Sequence, residues 1–330
     1  MLLHVYDNDL PELLTALAAT PPMQRLRAVG MNCGCEYTAF PRFARGRSYS
    51  RWVHSLGVGS IVWRFTHDPA QAAAGLLHDV ATPTFAHVID FLRGDYLTQE
   101  ATEEGTRERI AASPELQSIL RAHGLTTDDV ADYHRYPIAD NDSPRLSADR
   151  LEYTLGNAWR YGFLTEDGIE ALYADLTVSK NEDGADELCF RTRKQAVRFA
   201  ETALACARVY VSDEDRCAMQ TLCELLRDAI EAGILSPADL DGTEPPLIET
   251  IAASPLSERW SAFCAMAHTA RAPASSAPPD GRPWRIIPAK KRRIDPLVAG
   301  MGRVSSLDAA FAASLAAFLN EPQTEWVLGW

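Results

Sequence analysis

The chain has 330 residues, of which 46% are hydrophobic, and a formal net charge of -13. This length allows one large helical domain or two smaller ones with a sizeable core. The acidic balance argues against broad binding to nucleic acids or anionic membranes, because either polyanion would be repelled, so any phosphate site has to be local. No apolar run of about 18 residues is present and the start lacks the features of a signal peptide, so we expect a cytoplasmic protein.

Hydrophobic spacing and capping residues predict helices along most of the chain. The predicted helices span residues 9–19, 23–28, 51–58, 70–79, 85–92, 98–112, 114–123, 125–135, 147–159, 165–174, 194–210, 214–232, 236–241, 246–270 and 306–319. A β-hairpin is predicted at 176–190 around the turn 181–186, and an edge strand at 284–288. These elements predict an all-α fold with a small accessory β element.

The most informative stretch is the end of the predicted helix 70–79, where an apolar run meets the adjacent residues His78 and Asp79. His54 lies on the preceding predicted helix, and Asp149 lies near the start of a later one. Two imidazoles and two carboxylates suit a borderline or hard divalent cation. The simpler alternative is a helix cap at Asp79 with two histidines packed in the core. We favour a metal site at His54, His78, Asp79 and Asp149, because one cation accounts for all four residues.

Each of these residues lies in a short phrase that is typical of one family. His54 is in SRWVHSLGV, His78 and Asp79 form the HD pair, and Asp149 is in ADRLEY. The order resembles the HD superfamily of metal-dependent phosphohydrolases, and most of all its deoxynucleoside triphosphate triphosphohydrolase branch. The early phrases TPPMQRLRAVG and YTAFP are similar to the lead-in of the same branch. The resemblance implies a helical HD-type domain over residues 1–165, continued by a mostly helical region, 166–330, that shares its core.

The resemblance also implies the chemistry of the site. One divalent ion, with Mn, Ni, Co, Zn, Fe and Mg all open, would activate water beside a phosphate ester. Arg51, Arg150 and Tyr153 match positions that contact phosphate oxygens in the branch, and a guanidinium suits that task. We therefore expect a small phosphorylated substrate such as a nucleotide, a homo-oligomer, and no membrane or nucleic-acid partner.

The chain departs from the branch where proton-transfer histidines are expected. The HGPFSH-type phrase of the branch reads TPTFAH here, so that Thr82 replaces the first histidine and His87 keeps the second. The later histidine before a glutamate falls on Gln99, next to Glu100. We expect His87 to act as the general acid, Glu100 to support it and Thr82 to orient water. Gly156 and Asn157 stand where the branch tends to have arginine and aspartate.

Three functions stay open on these residues. The first is a metal-dependent phosphohydrolase acting on a nucleotide or another small phosphate ester. The second is a two-iron oxygenase of the HD type, for which His87, His123 and His134 would supply further ligands. The third is a catalytically weak metal or nucleotide binder that serves as a sensor or partner protein. The basic run 290–293 predicts a local phosphate or subunit contact.

Overall fold

The protein is described here by a computed structural model, which covers residues 2–6, 10–44, 49–94, 105–275, 278 and 280–330. In this part of the chain the structure is 57% helical, with 18 helices and six short strands. The mainly helical fold class predicted from the sequence is therefore confirmed. The finer assignment to an HD-type fold stays a prediction.

The helices follow one another with short connections. They are α1 Leu3–Tyr6, α2 Glu12–Ala18, α3 Pro21–Arg25, α4 Pro41–Ala44, α5 Arg51–Thr66, α6 Pro69–Leu77, α7 Val88–Leu92, α8 Thr106–Ala112, α9 Pro114–Ala122, α10 Thr127–Val130, α11 Ala148–Arg160, α12 Glu166–Ala174, α13 Arg193–Tyr210, α14 Asp213–Glu231, α15 Glu244–Ala252, α16 Ser257–Ala265, α17 Val304–Leu307 and α18 Ala309–Asn320. Single 3-10 turns occur at Leu26–Ala28, Cys35–Tyr37, Tyr133–Arg135 and Pro237–Asp241.

Three of these helices position the candidate site, and local sequence explains where α6 and α11 begin and where α5 ends. Helix α6 starts at Pro69 because the Asp68 carboxylate accepts hydrogen bonds from two backbone amides of the first turn. Helix α11 starts after Ser147, whose hydroxyl accepts from the amide of Arg150. Helix α5 is eight residues longer than predicted and ends at His67, which takes a left-handed conformation with φ 51°.

Several other predicted helices also differ in their extent; the stretch predicted at 246–270, for example, forms the two helices α15 and α16. The helix predicted at 85–92 begins only at Val88, because Phe85 and Ala86 have positive φ angles of 62° and 47° and form a turn. Of the charged helix predicted at 98–112, the described part forms α8 from Thr106, and the residues before 105 lie outside the described ranges.

The strands form two small sheets. Their bounds are β1 Leu176–Lys180, β2 Asp186–Phe190, β3 Thr269–Ala272, β4 Leu297–Val298, β5 Gly302–Arg303 and β6 Trp326–Gly329. Strands β1 and β2 pair as the predicted antiparallel hairpin, with Leu176 opposite Phe190, and β4 and β5 extend this sheet. Strands β3 and β6 pair separately.

The edge strand predicted at 284–288 is wrong. This segment makes only a single bridge, in which Arg285 pairs with Val327. Pro283 and Pro288 lack the amide hydrogens that a longer ladder needs. The neighbouring backbone groups bond to side chains instead: the carbonyl of Ile287 accepts from Arg216 at 2.6 Å. The segment is therefore extended without belonging to a sheet.

The apolar side chains form two clusters. The first surrounds α5, α6, α11 and α13, and the second surrounds α14 and includes Phe85, Phe263 and Val327. Both clusters draw residues from either side of residue 165, and the division of the chain at that point stays a prediction. All seven cysteines are free thiols. In the described ranges, no helix combines the length and apolar character needed to cross a bilayer.

Candidate metal centre

The four predicted metal ligands converge on one point between three helices. His54 is on α5, His78 and Asp79 directly follow the last turn of α6, and Asp149 is in the first turn of α11. The Nε2 atoms of His54 and His78 are 3.2 Å apart. The Oδ1 atom of Asp149 lies 3.1 Å from the first and 3.6 Å from the second. We call these four residues the ligand cluster.

The distances in the ligand cluster fit one cation. Donors bonded at about 2.1 Å to a tetrahedral or octahedral ion lie roughly 3.0–3.5 Å from one another. His54, His78 and Asp149 have this spacing, and within the described ranges no other three His, Cys, Asp or Glu side chains approach in this way. The Oδ2 atom of Asp79 is slightly further out, at 3.8 Å and 3.6 Å from the two histidine nitrogens.

Both imidazoles are held in the tautomer that a metal ligand needs. The Nδ1 atom of His54 is 2.5 Å from Oε2 of Glu152, and Nδ1 of His78 is 2.7 Å from the carbonyl oxygen of Gly75. These partners can only accept, so each Nδ1 carries the hydrogen. With Nδ1 engaged in this way, each Nε2 faces the centre of the cluster and can offer a lone pair to a cation that displaces any proton there, an arrangement that second-shell contacts produce in metal sites.

Glu152 is a buried carboxylate that organises the outer side of His54. Its Oε2 atom accepts from His54 and also forms a short hydrogen bond with the hydroxyl of Tyr49. Two glycines make room for this pair. A Cβ at Gly57 would lie 2.7 Å from Cγ of Glu152, and one at Gly156 would lie 2.5 Å from the Tyr49 hydroxyl. The departure from the branch pattern at Gly156 thus has a packing reason.

Asp79 has two further partners that fix its carboxylate. Its Oδ2 atom accepts from Nη1 of Arg51 at 2.8 Å, and its Oδ1 atom accepts from the hydroxyl of Thr82 at 2.7 Å. Burial alone would raise the pKa of Asp79, but the charges of Arg51 and the two histidines outweigh it and hold that pKa well below its usual range. Asp79 is therefore an anion at neutral pH.

The cluster carries an excess of negative charge that calls for a cation. Burial would lower the pKa of His54, yet the carboxylates of Asp149 and Glu152 outweigh burial and raise that pKa to about 10. Burial would raise the pKa of Asp149, but contact with His54 lowers it overall. The carboxylates of Asp79, Asp149 and Glu152 thus face two imidazoles and the guanidinium of Arg51. A divalent cation bound at the two Nε2 atoms would balance the negative charge that otherwise stabilises a proton on His54.

The ligand cluster opens into a cavity of about 630 Å³. This volume is in the range that holds a nucleotide-sized molecule. The predicted phosphate contacts Arg51, Arg150 and Tyr153 all line it, and so do His87 and His134. On the far side the lining comes from residues beyond 166, which we call the C-terminal wall: Tyr210, Asp215, Met219, Lys290 and Arg292.

Comparisons with known proteins point to the same class of site. The chain is 25% identical to the uncharacterized protein YdhJ of Bacillus subtilis, over 76% of this chain and 73% of that one. It is 26% identical to the metal-dependent phosphohydrolase cns2 of Cordyceps militaris, over 64% and 58%, and 28% identical to the deoxynucleoside triphosphate triphosphohydrolase SAMHD1 of Bos taurus, over 36% and 23%. These similarities support the HD-domain phosphohydrolase superfamily. No protein-family model matches the chain.

The chain spans less than two thirds of the length of both named hydrolases. The substrates in their names belong to those proteins, and the similarity leaves the substrate of this chain open.

Arg150 and Tyr153 lie on α11 and line the cavity, where their side chains have different contacts. Nη1 of Arg150 is 3.0 Å from the Asp140 carboxylate and donates to Oδ1 of Asn141 at 2.8 Å. Tyr153 lies edge-on to Tyr210, with ring centroids 6.4 Å apart. Burial raises the pKa of Tyr153, so its hydroxyl stays a hydrogen-bond donor at neutral pH.

The three residues predicted for proton transfer have different environments. Glu100 lies outside the described residues. Thr82 is fully buried and its hydroxyl donates to Asp79, so it acts on a ligand and does not reach solvent. His87 lines the cavity, with Nδ1 2.8 Å from Oδ2 of Asp90 and Nε2 3.3 Å from Nη2 of Arg292. Burial lowers the pKa of His87, which favours the neutral ring.

The histidines considered for a second iron do not join the ligand cluster. His123 follows the end of α9 and is not among the residues that line the cavity. His134 lines the cavity and faces the Asp140 carboxylate at 3.0 Å. His87 is occupied by Asp90 and Arg292, as described above.

Several residues that build the site were missed from the sequence. Glu152 and Tyr49 carry no motif of their own, although Glu152 is one turn after Asp149 on the same helix and could have been placed on the same face. Lys290 and Arg292 were noted only as part of a basic run. Asp215 gave no signal, because its position depends on how α14 packs against the loop before α4.

Proposed function

We propose that this chain is a metal-dependent phosphohydrolase that acts on a nucleotide or a similar small phosphate ester. One observation carries the proposal: the donor atoms of two imidazoles and two carboxylates meet at ion-like distances in a cavity that is also lined by arginines. A divalent cation at such a site lowers the pKa of bound water and neutralises charge on a phosphate group. The identities of 26% and 28% to proteins named as hydrolases of phosphate compounds agree with this class.

The chain's own residues would divide the work as follows. His54, His78, Asp79 and Asp149 would hold the cation, while Glu152 and Thr82 hold the ligands in place. Arg51, Arg150 and Tyr153 would bind phosphate oxygens, because charged donors on the cavity wall favour an anion that has left water. The nearly complete burial of the two histidines and Asp79 would keep bulk water from competing for these contacts.

Asp215 is the residue we propose as proton donor to the leaving oxygen. It lines the cavity from the C-terminal wall, and burial raises the pKa of its carboxyl to about 8, so that it carries a proton at neutral pH. His87 is a poorer donor as it stands, because its proton is on Nδ1 and bonded to Asp90. A general acid whose pKa lies near the working pH typically raises the reaction rate about a hundred- to ten-thousandfold.

A phosphate-release screen tests the proposal. The purified protein is loaded in turn with Mn, Ni, Co, Zn, Fe and Mg, and free phosphate, pyrophosphate and triphosphate are measured from nucleoside mono-, di- and triphosphates and from sugar phosphates. We expect release from at least one class, and we expect Asp79→Ala to abolish it. Asp167→Asn, a change to an exposed carboxylate at the start of α12, is the control that should leave release unchanged.

Each other result overturns the proposal in favour of a named alternative. Nucleotide binding without release of any product would indicate a sensor or partner protein. Two irons per chain with a visible absorption band, and oxygen consumption in place of phosphate release, would indicate the oxygenase. Release that persists unchanged in Asp79→Ala would show that the activity arises elsewhere.

A further inference from the structure

The segment that carries the basic run lies along the cavity and is fixed at three points. The carbonyl of Ile287 accepts from Arg216 at 2.6 Å, and the amide of Ala289 donates to Oε1 of Gln323 at 2.7 Å. Further on, the hydroxyl of Ser143 donates to the carbonyl of Arg293 at 3.0 Å. The backbone of this segment is therefore held by side chains from three other parts of the fold.

The extended backbone sends alternate side chains in opposite directions. Ile287 and Ala289 are buried, at 2% and 6% exposure, and Nζ of Lys291 donates to the carbonyl of Leu319 at 2.9 Å, near the end of α18. A lysine is favourable there because the last carbonyls of a helix carry partial negative charge. Lys290 and Arg292 point the other way and line the cavity.

Arg292 is oriented by the hydrogen-bonded pair of His87 and the buried Asp90. Nδ1 of His87 is 2.8 Å from Asp90, whose side chain is fully buried, and this carboxylate fixes the hydrogen on Nδ1. The lone pair on Nε2 then accepts from Nη2 of Arg292 at 3.3 Å. A guanidinium is a rigid plane with five donor hydrogens, so the bond to His87 helps to fix the orientation of the whole group.

The charge of Arg292 lies close to the residues that would bind phosphate. Its field and that of Arg51 both act to lower the pKa of His87, which means that both guanidinium groups lie near this ring. The field of Arg292 also reaches Tyr153, on α11. Arg292 therefore faces the side of the cavity where Arg51 and Tyr153 adjoin the ligand cluster.

We propose that Arg292 is a phosphate-binding residue, oriented by the His87–Asp90 pair, and that it and Arg51 contact the same phosphate group of the substrate from two sides. The assignment rests on the proposed function, since it places the phosphate at the ligand cluster. It makes His87 a positioning residue and gives the C-terminal wall a direct role in substrate binding.

Binding of inorganic phosphate to the metal-loaded full-length protein tests the assignment without any turnover. We expect Arg292→Ala to raise the dissociation constant about ten- to a hundredfold, the usual loss for a hydrogen bond to a charged group. Arg292→Lys should lose less, because it keeps the charge but not the planar fork. Arg293→Ala is the matched control, since Arg293 is the exposed neighbour with the same charge and does not line the cavity.

The role of His87 is tested by a double-mutant cycle. If His87 acts through Arg292, His87→Leu should weaken phosphate binding in the wild-type background and add little to Arg292→Ala. His87→Gln, which keeps an acceptor near Nε2, should restore part of the binding. With a substrate found in the screen, His87→Leu and Arg292→Ala should each change KM more than kcat. Loss of a proton donor would instead change kcat.

The outcomes separate the two proposals. If the wild-type protein binds phosphate with metal and Arg292→Ala binds it equally well while retaining its fold by circular dichroism, the assignment of Arg292 fails and the proposed function stands. If the wild-type protein binds metal but neither binds nor releases phosphate, both fail. Additive effects in the cycle would show that His87 does not act through Arg292.

Discussion

The ligand cluster and the C-terminal wall face each other across one cavity but are built differently. His54, His78 and Asp79 are buried, at 1%, 5% and 4% exposure, and lie at the packed ends of α5 and α6. Lys290 and Arg292 are half-buried and lie on an extended segment that owes its position to distant side chains. The first arrangement is local and rigid, and the second depends on the whole fold.

This difference separates the chemistry of the site from its choice of substrate. A metal site requires donor atoms placed to within a few tenths of an ångström, which buried helix ends provide. If the C-terminal wall binds the rest of a substrate, as we propose, it does so from outside the helix packing that positions the ligand cluster. We therefore expect changes in the two regions to have different consequences.

The strongest test of this comparison is metal content. Asp149→Asn should lose the bound metal, with an affinity loss greater than about a hundredfold, because contacts outside the ligand sphere alone are worth about ten- to a hundredfold. Arg292→Ala, in the C-terminal wall, should keep the wild-type metal content. Metal per chain is measured after dialysis by mass spectrometry. Equal loss from both variants would mean that the two regions do not act separately.

A smaller effect is expected just behind the cluster. Glu152→Gln replaces a carboxylate that accepts from Nδ1 of His54 by a neutral amide. Metal affinity should fall about ten- to a hundredfold, because the imidazole becomes a weaker and less well oriented ligand. Tyr49→Phe leaves the carboxylate in place and should cost less. Competition with a coloured chelator measures both, and an unchanged affinity in Glu152→Gln would remove Glu152 from the site.

The four residues that meet in the ligand cluster could be picked out from the sequence because their signal is local. His78 and Asp79 are adjacent, and each of His54 and Asp149 lies in a short characteristic phrase on a predicted helix. The predicted hairpin at 176–190 was found for a similar reason, since its turn residues lie between two short β-type runs. What the cluster does chemically stays a prediction.

The basic run 290–293 indicated a local phosphate or subunit contact, but its place in the C-terminal wall could not be predicted, because that position depends on contacts spread over the chain. Arg292 reaches His87 across 205 positions of sequence. The strand predicted at 284–288 failed for the same reason: its residues have a strand-like pattern, but Arg216 bonds to the carbonyl of Ile287, and Gln323 bonds to the amide of Ala289 just beyond it. Such contacts depend on the packing of α14 and of the chain end, which no short pattern indicates.

The smallest expected effect concerns Asp215 in the C-terminal wall. Burial raises the pKa of its carboxyl to about 8, from an ordinary value near 4, despite the nearby charges of Arg216 and Arg292. The unfolded chain therefore loses this proton at lower pH than the folded protein, and the free energy of unfolding should fall as the pH rises from about 4 to about 8. Asp215→Asn lacks this titrating group and so lacks this loss of stability. The melting temperature of the variant minus that of the wild type should therefore increase as the pH rises from about 4 to about 8. For the control Glu249→Gln, at an exposed carboxylate, the difference in melting temperature from wild type should stay constant across this pH range. A constant difference for Asp215→Asn as well would mean that the Asp215 carboxyl is ionised in the folded protein throughout.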